Sequence, residues 1–178
     1  MRALFLAGLP LLVGCGAPYK YLAHAEPDPF RRPGCRAVLE PVHSERLVVG
    51  EIPEATYLAE KSPESADSYD KDKRESFQML HDQLFEKLGV VFMAGGPPDN
   101  TFSIRPTWAR WEPGSVFTTA EANFVVDVVA PNGAMLDRLT IATKAGEFSS
   151  GARMRTALRK VGQAIATYID DNWACAAH

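Results

Sequence analysis

Four histidines, three cysteines and two carboxylates beside a candidate hairpin are the groups of this 178-residue chain best suited to chemistry. An imidazole moves protons near neutral pH or ligates a metal. His24, His43, His81 and His178 lie far apart, and none stands at a zinc-binding spacing from Cys35 or Cys175. Asp127 and Asp137 flank the hairpin, and a carboxylate pair does acid–base work when its surroundings split the two pKa values. Their positions in the strand alternation are outward, so solvated surface acids are expected. No P-loop, G-x-G-x-x-G, G-x-S-x-G or H-E-x-x-H occurs. The sequence assigns no catalytic residue, no metal ligand and no cofactor.

The cysteines carry more. Met1–Gly16 reads MRALFLAGLPLLVGCG, with one cation, Arg2, and then no charge from Ala3 to Pro18. A basic start, an apolar run and a small-residue ending make a secretory signal. The run is too short to span a bilayer, which takes roughly 20 apolar residues. Its close, Leu12-Val13-Gly14-Cys15, resembles a bacterial lipobox. The resemblance implies cleavage before Cys15, acylation of that cysteine and a mature chain held by membrane lipid. One acyl chain anchors marginally and several anchor stably, at about 0.8 kcal/mol per buried methylene. Gly16 stands where an Asp would favour retention in the inner membrane, so the resemblance points to the outer membrane and a periplasm-facing domain. The alternatives are a plain signal cut at a nearby small residue and an uncut helix that buries Cys15.

With Cys15 assigned to lipid, Cys35 and Cys175 remain, in an export compartment where disulfides persist. A bridge between them would close a loop of about 140 residues and contribute a few kcal/mol; two separate buried thiols are the alternative. The balance of 19 basic against 22 acidic residues argues against a nucleic-acid partner.

The chain divides into a signal (1–14), a lipidated cysteine with a proline-rich tether (15–34) and one domain (35–178). Prolines 18, 27, 29 and 33 extend the tether. Leu47-Val48-Val49 reads as a buried strand ended by Pro53, followed by an irregular stretch from Glu54 to Ser68 in which Pro63, after Ser62, offers a helix start. Phe77, Leu80, Leu84 and Leu88 make the apolar stripe of a helix over Asp70–Leu88, with its charged run Asp70–Glu75 solvated and Gly89 as its stop. Val90–Ala94 reads as a strand, and Thr101–Trp111 alternates with Phe102, Ile104, Pro106 and Trp108 on one face. Val116–Ala130 and Met135–Thr143 form a hairpin about Asn132-Gly133. A last helix, Gly151–Trp173, carries the stripe Met154, Leu158, Val161, Ile165 and Tyr168, and Arg153, Arg155, Arg159 and Lys160 make a solvated face.

These elements, in the order β-α-β-β-β-β-α, give an α+β two-layer sandwich: a mixed, mostly antiparallel sheet of about five strands with two helices on one face. The order, together with Phe124–Ile141 and Ala164–Asn172, resembles the small periplasmic domain of the TolB amino-terminal region, of CsgG-type lipoproteins and of uncharacterised outer-membrane lipoproteins, over about Glu45–Trp173. The resemblance implies a non-catalytic domain and supplies no catalytic residues. Trp111 falls on the outward face of its strand with Phe117 across the turn, an aromatic pair suited to anchoring a protein partner; the alternative is a Trp111 covered by the Glu54–Ser68 stretch. The expectation is a binding or scaffold lipoprotein of the cell envelope, with an envelope hydrolase as the alternative.

Overall fold

Strict alternation along β6 (Ala120–Val129) sets the architecture. Ala120, Ala122, Phe124, Val126 and Val128 are fully buried, while the residues between them are half-buried on the other face. The chain is described by a computed structural model over residues 17–24, 36–88, 101–115 and 117–172. β7 (Met135–Ala145) returns antiparallel to β6 after a turn in which Gly133 takes φ 83° and the Ala134 N–H donates to Asn132 Oδ1. β5 (Thr101–Glu112) flanks β6 on its other side, also antiparallel. Beyond β5 lie two parallel neighbours, β2 (Arg36–Leu39) and β3 (Val48–Val49), and β4 (Ile52–Pro53) closes against β3. β1 (Lys20–His24) pairs antiparallel with β7 at the opposite edge, completing the order β1-β7-β6-β5-β3-β4 with β2 also on β5.

Helices α2 (Pro63–Leu88) and α3 (Ser150–Asn172) cover one face; a short α1 (Glu54–Ala59) precedes them. Pro63 opens α2, where its missing N–H costs nothing, and the Ser65 N–H reaches Ser62 Oγ at 3.4 Å. Ser149 caps α3 by accepting from the Ala152 N–H at 3.2 Å. The stripe Met154, Leu158, Val161, Ile165 and Tyr168 is buried, and Phe77 of α2 meets Trp108 of β5 edge-on, centroids 5.8 Å apart. The uncovered face is polar, with cross-strand ion pairs Arg138–Asp127 at 2.6 Å and Lys144–Glu121 at 3.4 Å.

The two-layer α+β sandwich is the expected one, with, among the described residues, seven strands rather than about five and three helices rather than two. Of the additions, α1 and the first six residues of α2 occupy the stretch read as irregular. There the fold supplies side-chain ties: Glu54 accepts from Tyr69 Oη at 2.8 Å and from Lys73 Nζ at 2.7 Å. That tie also takes Lys73 out of the run expected to be solvated. The strand expected at Val90–Ala94 and the stop at Gly89 lie outside the described residues.

Two corrections bear on function. Lys20–His24 belongs to the sheet and not to the tether, because its tyrosines dock on α3 and its backbone pairs with β7. Trp111 does not face outward: it is 1% exposed. The register of β5 against β6 slips between Trp108 and Arg110, so two residues oppose one and the alternation changes parity. Trp108 and Trp111 therefore both enter the core, their rings 5.7 Å apart.

Candidate functional site

The densest polar cluster on the helix side of the sheet forms where β1, β7 and the last turns of α3 meet. Asp137 sits on the inward parity of β7, two residues before Leu139 and four before Ile141, and has no solvent exposure. A buried carboxylate is tolerable only when its oxygens are bonded. Oδ2 accepts from the Tyr168 hydroxyl, and Oδ1 lies 2.6 Å from His24 Nδ1. The His24 ring rests against Tyr21, centroids 4.7 Å apart, and Tyr19 meets Tyr168 edge-on at 5.4 Å.

The end of α3 closes the cluster. Tyr21 Oη donates to Asn172 Oδ1 at 2.7 Å, Tyr19 Oη donates to Asp171 Oδ2 at 3.0 Å, and the Asn172 amide donates to the Tyr168 carbonyl at 2.8 Å. Burial raises the pKa of both Tyr19 and Tyr21 above the usual phenol value, so both stay neutral donors across the physiological range. Chemically, the arrangement fixes an imidazole against a carboxylate, the pairing that orients a general base. Mechanically, it bolts β1 to the domain. Among the described residues no group of three or more His, Cys, Asp and Glu is placed to hold a metal ion.

Cys15, Cys35 and Cys175 lie outside the described residues. Asp127 and Asp137, expected as outward acids, stand on opposite faces. Asp127 is the one on the open face, bonded twice by Arg138 at 2.6 and 2.7 Å, a pairing that raises the arginine's pKa. Asp137 corrects the outward reading, since the β7 alternation turns it inward. Trp111 lines a cleft of about 390 Å³ with Tyr57, Tyr69 and Asp72 instead of projecting to a partner.

Phe117, its expected companion, is 95% exposed. A second exposed ring missed in the sequence is Phe148, at 92% exposure. Their two loops are joined by Arg153, which is 7% exposed rather than on a solvated face: its Nη1 donates to the carbonyls of Ser115 at 2.8 Å and Glu147 at 3.4 Å. The neighbouring cation Arg155 pairs with Asp72 at 3.1 Å. Sequence gave Phe148 no periodic partner, because it belongs to a short loop between β7 and α3.

No helix among the described residues is long and apolar enough to cross a membrane. No protein family and no curated protein matches the sequence. Among solved structures the chain is similar to PelC dodecamers from Paraburkholderia phytofirmans, one of them a single-substitution variant. The variant aligns at TM-score 0.43 and 10% identity over 83% of this chain and 95% of its own. A second PelC crystal form gives TM-score 0.43 and 10% identity, over 83% of this chain and 96% of its own.

Proposed function

We propose that this chain is a bacterial envelope lipoprotein, anchored in the outer membrane through acylated Cys15, whose periplasm-facing domain works by contact with a protein partner and not by catalysis. The observation that carries the reading is how soon after Cys15 the fold begins. Tyr19 is already buried and Lys20 already paired with Thr140, four and five residues on. Four residues of chain span at most about 14 Å. An acyl group at Cys15 thus holds the whole domain against the surface, which suits a protein that acts where it is tethered.

Replacing Cys15 with Ser tests the anchor. The expected result is loss of acyl mass from the intact protein and release from the membrane fraction; continued membrane binding by a protein without acyl mass overturns it. In-cell crosslinking followed by mass spectrometry tests the contact role, which fails if the anchored protein captures no specific partner.

The His24–Asp137 couple favours one second reading, an envelope hydrolase using His24 as base. Turnover of ester or cell-wall substrates by the purified protein, lost in His24→Ala, would support that reading over the first.

A further inference from the structure

We infer that the end of the sheet bearing Phe117 and Phe148 lies on the bilayer, with both rings inserted in its interfacial region as a second attachment beside the acyl group. This rests on the reading of Cys15 as acylated. Three observations lead to it.

The first is the rings themselves, each more than nine-tenths exposed and held out by fastened loops. Ser115 and Thr118 bridge the first loop, with the Ser115 N–H donating to Thr118 Oγ1 at 2.7 Å and the Phe117 N–H donating to Ser115 Oγ at 3.2 Å. Arg153 ties the second loop to it. Rings presented this way lose little freedom on insertion.

The second is charge. Residues 113–119 carry none, and residues 146–150 carry only Glu147, in a chain that is 23% charged. Glu147 turns one carboxylate oxygen, Oε2, away from solvent. Burial alone would raise its pKa, but bonds from Thr156 and its own backbone, with Lys160 and Arg159 nearby, bring it below the usual carboxylate value. Phe117 thus stands in an uncharged loop and Phe148 beside one carboxylate whose Oε2 is turned inward, and exposed Phe rings of this kind enter the membrane interface.

The third is where the anchor enters. β1 runs antiparallel to β7 with Lys20 opposite Thr140 and His24 opposite Asp137, so the chain reaches β1 from the Ala145 side of the sheet. Ala145 pairs with Ala120, the residues that border these two loops. From Thr140 to Ala145 is about 17 Å of strand, and the five residues from Cys15 to Lys20 span a similar length when extended. The segment carrying Cys15 therefore joins β1 from the end of the sheet that bears both rings.

The test uses the full-length protein in vesicles whose lipids carry bromine near the glycerol end of the acyl chains. Tryptophan is introduced as F117W, F148W or, at the opposite end of the sheet, M135W, and the parent protein's emission is subtracted. The added emission of F117W and F148W should be mostly lost in brominated vesicles relative to unbrominated ones, and that of M135W retained. Intact mass reports acylation in the same samples. Acylated protein whose F117W and F148W emission is unquenched overturns insertion and leaves the anchor standing, with a protein partner then the occupant of the two rings. Equal quenching of M135W overturns the proposed orientation. Absence of acyl mass overturns the anchor, and insertion with it.

Discussion

The Tyr168 hydroxyl donates to Oδ2 of Asp137, a carboxylate with no solvent exposure. Tyr168→Phe removes that donor while keeping the ring that packs on Tyr19. The orphaned oxygen should lower unfolding stability by about 1–3 kcal/mol, read as a shift of the urea midpoint at unchanged slope. A loss below about 0.3 kcal/mol would mean that solvent reaches Asp137.

Trp111 and Phe117 should separate cleanly in stability. Trp111→Ala empties a core site beside Trp108 and should cost about 3–5 kcal/mol. Phe117→Ala touches an exposed ring and should stay within about 0.5 kcal/mol. Chemical denaturation of both variants checks the change of parity in β5, since strict alternation would leave Trp111 exposed and its truncation as mild as that of Phe117.

Two glycines in left-handed turns should respond unequally to alanine. Gly133, at φ 83°, has open space where a Cβ would sit. Its cost is the conformational one alone, about 1–2 kcal/mol. At Gly114, φ 64°, the added carbon would lie 2.7 Å from the Ala120 nitrogen and 2.8 Å from the Thr118 oxygen. The backbone must move there, so Gly114→Ala should lower the thermal midpoint further than Gly133→Ala.

Stability should fall on both sides of neutrality. Burial holds the His81 imidazole below its usual pKa, so on acidification the unfolded chain takes up the proton first. This contribution is complete above about pH 6.5 and is lost as the pH falls toward the folded-state value. His81→Gln should flatten the acid limb of stability against pH. On the alkaline side, burial raises Tyr21 and Tyr69 above the usual phenol value. Their contribution is complete below about pH 10 and lost above it as the unfolded chain ionises. Absorbance at the tyrosinate band should lag behind that of free tyrosine until the protein unfolds.

Much of the fold was legible because β6, β7 and α3 are locally consistent: inward residues, turn glycine and helix cap all agree. The stripe of α2 was legible for the same reason, and Pro63 marked its start, whereas the polar turns between Pro63 and Asp70 gain their place only through Glu54, Tyr69 and Lys73. The position of Trp111 was hidden by a one-residue slip between Trp108 and Arg110, whose place nearby Pro106, a residue common at bulges and edges, does not specify. The cluster at His24 was hidden differently. Its histidine comes from a segment flanked by prolines, and its carboxylate from a strand more than a hundred residues away. Only the parity of Asp137 with Leu139 and Ile141 was on view as a sign of burial, and the outward reading of both hairpin acids ran against it.

The bolting of β1 also decides where this chain can be shortened. A version begun after His24 would discard a strand rather than a linker, leaving the hydrogen-bonding edge of β7 bare along Asp137–Thr140. A bared sheet edge recruits other chains, so such a protein should self-associate. It would also strip Asp137 of one partner and Tyr168 of its aromatic cover. A soluble form suited to crystallisation or partner screening has to begin ahead of Tyr19, within a few residues of the cysteine it is meant to omit.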